Sequence, residues 1–176
     1  MIRILHDETS DHGLWIGDQK DFSSITDPSR WVVVHAAKEP FHRVALGYTG
    51  RSAPKDHPEY LFAYRPLNSV KPDRLILNLV DAPDPAYVST RLIDEAMDFL
   101  YWNVGEHNVL VHCNLGGSRA PVIGMLFLAT KGLLPADFEG AEKAFKLLYG
   151  PYDPGAGMRG FAKENWERYR TLWATR

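Results

Sequence analysis

The stretch Val109-Leu110-Val111-His112-Cys113-Asn114-Leu115-Gly116-Gly117-Ser118-Arg119-Ala120-Pro121 constrains this chain more than any other. An apolar run ends at Cys113, the chain's one cysteine, and five residues separate it from Arg119. The following segment, Val122-Ile123-Gly124-Met125-Leu126-Phe127-Leu128-Ala129, is apolar enough for a buried helix. The cysteine therefore sits at a strand end, on a glycine-bearing loop that opens into a helix N-terminus.

Such a loop is suited to an anion. Glycines let successive backbone N–H groups turn inward and form a nest. The helix N-terminus adds unpaired N–H groups and positive potential. Arg119 offers a planar fork that clamps two oxygens of a phosphoryl group. The same field favours thiolate over thiol at Cys113. A thiolate beneath a bound phosphate is a nucleophile for phosphoryl transfer.

Strand and helix signals alternate along the chain. Residues 14–17, 31–35, 75–80 and 109–111 read as short or buried strands. A helix is expected over 87–104, with Leu92, Ile93, Ala96, Phe99 and Leu100 on one face. Further helices are expected over 139–149 and 159–173, and Gly132 is expected to stop the helix after the loop. This pattern predicts an α/β fold with a central, mostly parallel sheet flanked by helices. Ligands in such folds sit at the carboxyl ends of the strands, where Cys113 lies. The 176 residues are expected to form one domain, 1–176. Residues 41–68 read as a surface insertion holding one extra strand, 60–64. Arg51, Lys55, His57 and Arg65 in that stretch are candidates for a basic rim.

The residues His112-Cys113, five more and then Arg119 resemble the H-C-x5-R signature of the cysteine-dependent protein tyrosine and dual-specificity phosphatases. Gly13-Leu14-Trp15-Ile16-Gly17 is similar to the strand that opens many of their domains. Pro151-Tyr152-Asp153-Pro154-Gly155, followed by Phe161, Trp166 and Tyr169, looks like their proline-bearing turn and last helix. The resemblance implies a tyrosine-phosphatase-like fold with Cys113 as nucleophile and Arg119 as phosphate clamp. It also implies a phosphate loop of Asn114, Leu115, Gly116, Gly117 and Ser118, with His112 ordering that loop and helping to hold the thiolate. Asn114 and Leu115 are expected to serve through backbone N–H groups, and Ser118 to cap the helix.

A phosphatase of this kind also needs a group that protonates the leaving oxygen and later deprotonates water. In the family this is an aspartate on the loop after the preceding strand, here Asp81-Ala82-Pro83-Asp84-Pro85. Asp81 is preferred because it follows the 75–80 strand directly. Asp84, stiffened by two prolines, is the rival. One departure is Ala120, where many members carry Ser or Thr. That hydroxyl stabilises the departing thiolate, so its loss is expected to slow breakdown of the phosphoenzyme.

The reaction implied is hydrolysis of phosphomonoesters, on a phosphorylated protein or a small phosphomonoester, without cofactor or metal. Net charge of −2 gives no sign of a nucleic-acid partner, an RNA 5′-end as substrate aside. One cysteine excludes an intrachain disulfide and suits a reducing cytosol. The N-terminus turns acidic before any apolar core of leader length, and no stretch suits a bilayer, so a cytoplasmic monomer is expected. Three alternatives stay open: a phosphatase of RNA 5′-ends, phosphoinositides or sugar phosphates; a rhodanese-like enzyme; and a phosphate-binding module without turnover.

Overall fold

The computed structural model describes residues 1–6, 10–63 and 72–172. Six strands form one mixed sheet: β1 (Ile2–His6), β2 (Gly13–Gly17), β3 (Trp31–His35), β4 (Tyr60–Ala63), β5 (Arg74–Leu77) and β6 (Asn108–His112), in the order β1-β2-β6-β3-β5-β4. The four inner strands β2, β6, β3 and β5 run parallel, and they are the β-branched and apolar runs read from the sequence. The two edges are antiparallel, β1 on β2 and β4 on β5. Strand β1 was not foreseen. Its Ile2-Arg3-Ile4-Leu5 run is short, and only Ile4 is buried. Strand β4 lies in the 41–68 stretch and ends at Ala63; Tyr64 and Arg65 lie outside the described residues.

Helices cover the sheet. They are α1 (Gln19–Ser23), α2 (Arg43–Leu46), α3 (Thr90–Asn103), α4 (Arg119–Thr130), α5 (Phe138–Leu148), α6 (Ala156–Glu164) and α7 (Trp166–Leu172). Every residue of α4 after Arg119 is buried, so this helix is apolar all round and forms the centre of the core. Gly132 adopts a left-handed φ of 67° just past its end, the stop expected there. Helix α3 starts three residues later than expected, because Pro85–Tyr87 makes a separate 3-10 turn. The expected helix over 159–173 is two helices broken at Asn165, and Trp173 lies outside the described residues. Among the described residues no helix is long and apolar enough to cross a membrane.

Because β2, β6, β3 and β5 are parallel, Gly17, His112, His35 and Leu77 end at one edge of the sheet. The loops that leave these ends converge there. Strand β5 ends at Leu77 rather than at residue 80. Asn78-Leu79-Val80 therefore forms a connecting segment, whose Leu79 carbonyl accepts from Lys38 N–H, and Asp81 follows that segment rather than the strand.

Candidate active site

Cys113 is buried directly beyond β6, where its N–H reaches the Gly17 carbonyl at 3.4 Å. The chain then curls from Asn114 to Ser118 into the N-terminus of α4. Gly116 makes the curl possible: its φ is +72°, and a Cβ there would lie 3.2 Å from the Gly17 carbonyl and from the Tyr149 oxygen. The outer face of the loop is tied down. The Tyr149 hydroxyl donates to the Gly116 carbonyl at 2.9 Å, and Asp153 N–H donates to the Gly117 carbonyl at 2.8 Å. Burial pushes the Tyr149 phenol above its ordinary range, so it stays a neutral donor. These bonds engage carbonyls.

Arg119 is aimed by one acceptor in its own loop and one on the segment after β5. Its Nη1 donates to the Leu79 carbonyl at 3.2 Å and its Nη2 to Asn114 Oδ1 at 2.7 Å. Its Nε is buried without a hydrogen-bond partner among the described residues, 3.9 Å from Asp81 Oδ2. Asn114 in turn donates from Nδ2 to the Glu39 carbonyl at 2.7 Å. Its side chain is thus also a structural brace, beside the backbone role expected of it. Leu115 points into solvent, 88% exposed, as suits a residue serving through its backbone.

Ser118 occupies the cap position of α4, yet its hydroxyl makes no capping bond. It donates to Asp81 Oδ1 at 2.9 Å and accepts from Gly155 N–H at 3.0 Å. The expected capping role is therefore replaced by a link between the loop, the Asp81 segment and the C-terminal turn. Asp81 is brought to the loop, whereas Asp84 Oδ1 accepts from Ala86 N–H at 2.9 Å and caps the 3-10 turn. Ala120 is fully buried, and with Ser118 engaged on Asp81 neither position offers Cys113 a hydroxyl. Of the basic candidates, His57 packs against Tyr48 at 5.9 Å, and the Arg51 carbonyl accepts from Lys38 Nζ at 2.7 Å.

Behind the loop lies a histidine pair that the sequence did not disclose. His112 Nε2 and His35 Nδ1 are 2.7 Å apart, and His112 Nδ1 lies 3.4 Å from the Cys113 carbonyl. A carbonyl only accepts, so Nδ1 of a neutral His112 carries the hydrogen and His35 donates to its Nε2. Phe22 of α1 stacks on His112 at 4.9 Å, and Phe41 stacks on His35 at 4.5 Å. The pair lies in register on adjacent strands, but 77 residues apart in sequence, and only the parallel pairing of β3 with β6 joins them.

Burial holds His112 down at about 4 despite Asp18 and Asp21 nearby, with Arg119 opposing protonation. Burial, then His112 and Arg74, hold His35 lower still. In the unfolded chain both imidazoles take up a proton near pH 6.5. The unfolded state thus binds more protons between about pH 6.5 and 4, and stability falls as pH falls through that window. The denaturation midpoint is expected to drop from pH 7 to pH 5, by an amount equivalent to a few kcal/mol. Proton NMR of both rings should show no titration above pH 5; a ring titrating near 6.5 would contradict the buried pair.

No protein-family profile matches the chain, and no curated protein matches it by sequence. Solved structures do match by shape. The crystal structure of DUSP15 superposes with a TM-score of 0.61 over 92% of this chain and 88% of its own, at 17% identity. The chain has the phosphatase fold of DUSP15. A leucine-rich-repeat and phosphatase-domain protein from Entamoeba histolytica matches with a TM-score of 0.53 at 15% identity, covering 90% of each chain. The Trypanosoma brucei protein tyrosine phosphatase TbPTP1 matches with a TM-score of 0.50 at 14% identity, over 98% of this chain and 76% of its own.

Proposed function

We propose that the protein is a cysteine-dependent phosphatase that hydrolyses phosphomonoesters through a phosphocysteine intermediate. The observation that carries this reading is the convergence of Cys113, the Gly116 curl, Arg119 and Asp81 at the carboxyl ends of the parallel strands. The likeness in fold to DUSP15 supports it. In the first half-reaction the Cys113 thiolate forms a bond to phosphorus while the ester P–O bond breaks. Asp81 gives its proton to the departing oxygen, and backbone N–H groups and Arg119 hold the three phosphoryl oxygens. In the second, Asp81 takes a proton from water as its oxygen attacks phosphorus, and thiolate and inorganic phosphate are released.

The finer reading is a protein-tyrosine or dual-specificity phosphatase. A second reading, a phosphatase of small polar phosphomonoesters, is favoured by the hollow of about 490 Å³ beside Asn114. It is lined by Gln19, Lys20, Ser23, Ser24 and Asn114, with no aromatic ring among these described residues. Turnover of phosphopeptides, RNA 5′-ends, sugar phosphates and phosphoinositides under identical conditions separates the two.

The assignment of Asp81 has its own test. Asp81→Asn is expected to lower kcat roughly a hundredfold for alkyl phosphates, less for aryl phosphates with good leaving groups, and to flatten the basic limb of the pH profile. Asp84→Asn is expected to affect the 3-10 turn and leave that leaving-group dependence as it was. If Asp84→Asn alone changes the dependence, the acid is Asp84.

A further inference from the structure

We propose that Ser118 and Gly155 are positioning residues for Asp81, and that they fix which of its oxygens carries the catalytic proton. The inference rests on the reading of Asp81 as the acid. The Ser118 oxygen accepts from Gly155 N–H at 3.0 Å, so its own hydrogen is directed away from that bond. It points to Asp81 Oδ1, 2.9 Å away. An oxygen that accepts this bond is the poorer site for a proton, because a protonated Oδ1 would place two hydrogens between the same pair of oxygens. The proton of the acid form therefore resides on Oδ2. That oxygen is the one turned toward Arg119, 3.9 Å from Nε, and so toward the phosphoryl group that Arg119 would hold. As the ester P–O bond breaks, the Oδ2–H bond breaks and the proton passes to the departing oxygen. Oδ2 regains a proton from water in the second half-reaction.

Gly155 contributes a second constraint, by its lack of a side chain. A Cβ at this position would lie 2.8 Å from Asp81 Oδ1 and 3.7 Å from the Ser118 oxygen. The first distance is too short for real contact, so any larger residue at 155 displaces the carboxylate. Its φ is −59°, an ordinary value, so the need for glycine here comes from space rather than from backbone conformation. The C-terminal turn, far from Asp81 in sequence, thereby sets the carboxylate's place. The same turn carries Asp153, whose N–H holds the Gly117 carbonyl, so one short segment fixes both phosphate loop and acid.

The test compares aryl phosphates with good leaving groups and alkyl phosphates with poor ones, on Ser118→Ala, Ser118→Thr, Gly155→Ala and Asp81→Asn. A charge-assisted hydrogen bond lost from the acid corresponds to roughly a tenfold effect. Ser118→Ala and Gly155→Ala are each expected to lose about tenfold more kcat on the alkyl than on the aryl substrates. Ser118→Thr, which restores the hydroxyl, is expected to recover most of that difference. A uniform loss on both substrate classes in Ser118→Ala and Gly155→Ala would overturn the inference, because a merely structural role has no leaving-group dependence. If Asp81→Asn shows the dependence and neither positioning variant does, the inference fails and the acid assignment stands. If Asp81→Asn shows none, the acid assignment fails and the inference with it. Thermal denaturation of each variant, together with its aryl turnover, identifies any that has not folded.

Discussion

Cys113→Ser is expected to reduce hydrolysis of a chromogenic aryl phosphate by at least about a thousandfold while leaving affinity for inorganic phosphate close to that of the wild type. The two halves of this result have different sources. Turnover needs a thiolate, and a serine hydroxyl in the same place, a far weaker acid than a thiol, stays protonated. Anion affinity comes from the loop N–H groups and from Arg119, which is held by Leu79 and Asn114 and not by the cysteine. Substitution of one sulfur by oxygen at a 2% exposed position leaves that frame standing. Wild-type enzyme should also release a burst of phenolate, one equivalent per site, before the slower steady state. The reason is the buried Ala120, together with the commitment of the Ser118 hydroxyl to Asp81. No hydroxyl from either position stabilises the departing thiolate, so breakdown of the phosphocysteine is the slower half. Isothermal calorimetry with phosphate and stopped-flow absorbance measure the two effects. Unchanged turnover in Cys113→Ser would remove the nucleophile from the mechanism. Retained binding with no wild-type turnover on any phosphomonoester would leave a phosphate-binding module.

The parts of this architecture that could be read in the sequence are those whose cause is local. Val32-Val33-Val34 and Val109-Leu110-Val111 are apolar and mostly β-branched, and they form two of the buried parallel strands. The cysteine, the glycines and the arginine lie within one short segment, and their juxtaposition needs only a strand, a curl and a helix. Position alone does not separate Asp81 from Asp84, because β5 ends at Leu77 and a connecting segment precedes both; the contact with Ser118 is what sets Asp81 apart. What could not be read depends on pairing between distant segments. His35 is unremarkable at the end of β3 until β6 is laid beside it in register with His112. Tyr149, Asp153 and Gly155 look like the end of a helix and a turn, and become supports of the loop only when the chain returns across it. Asn114 reads as a loop residue, because the Glu39 carbonyl that its side chain engages lies far away in the sequence. The edge strand β1 is not legible from sequence because it has one solvated face and little length.

Arg119→Lys is expected to lower kcat/KM by roughly two to four orders of magnitude, the equivalent of two charge-assisted hydrogen bonds, although the formal charge is conserved. The geometry explains why charge is insufficient. Leu79 and Asn114 engage Nη1 and Nη2 separately, so the plane of the guanidinium is set by two acceptors on different loops. That plane leaves the buried Nε as a donor without a partner among the described residues, adjacent to Asp81 Oδ2. A lysine ammonium is a single centre on a flexible stem. It reaches one of the two acceptors, and no second nitrogen remains for the phosphoryl oxygens. The loss should therefore appear in kcat as well as in KM, because the fork gains its full value only as charge spreads over the equatorial oxygens. Stability should change little, because the ammonium can still satisfy one of the two acceptors and neither partner is left as an unpaired buried charge. Steady-state kinetics on an aryl phosphate, with denaturation curves for both proteins, distinguish the outcomes. A lysine variant within a few-fold of wild type would mean that the loop holds its anion by backbone N–H groups alone, and that Arg119 serves only to brace Asn114 against the Leu79 segment.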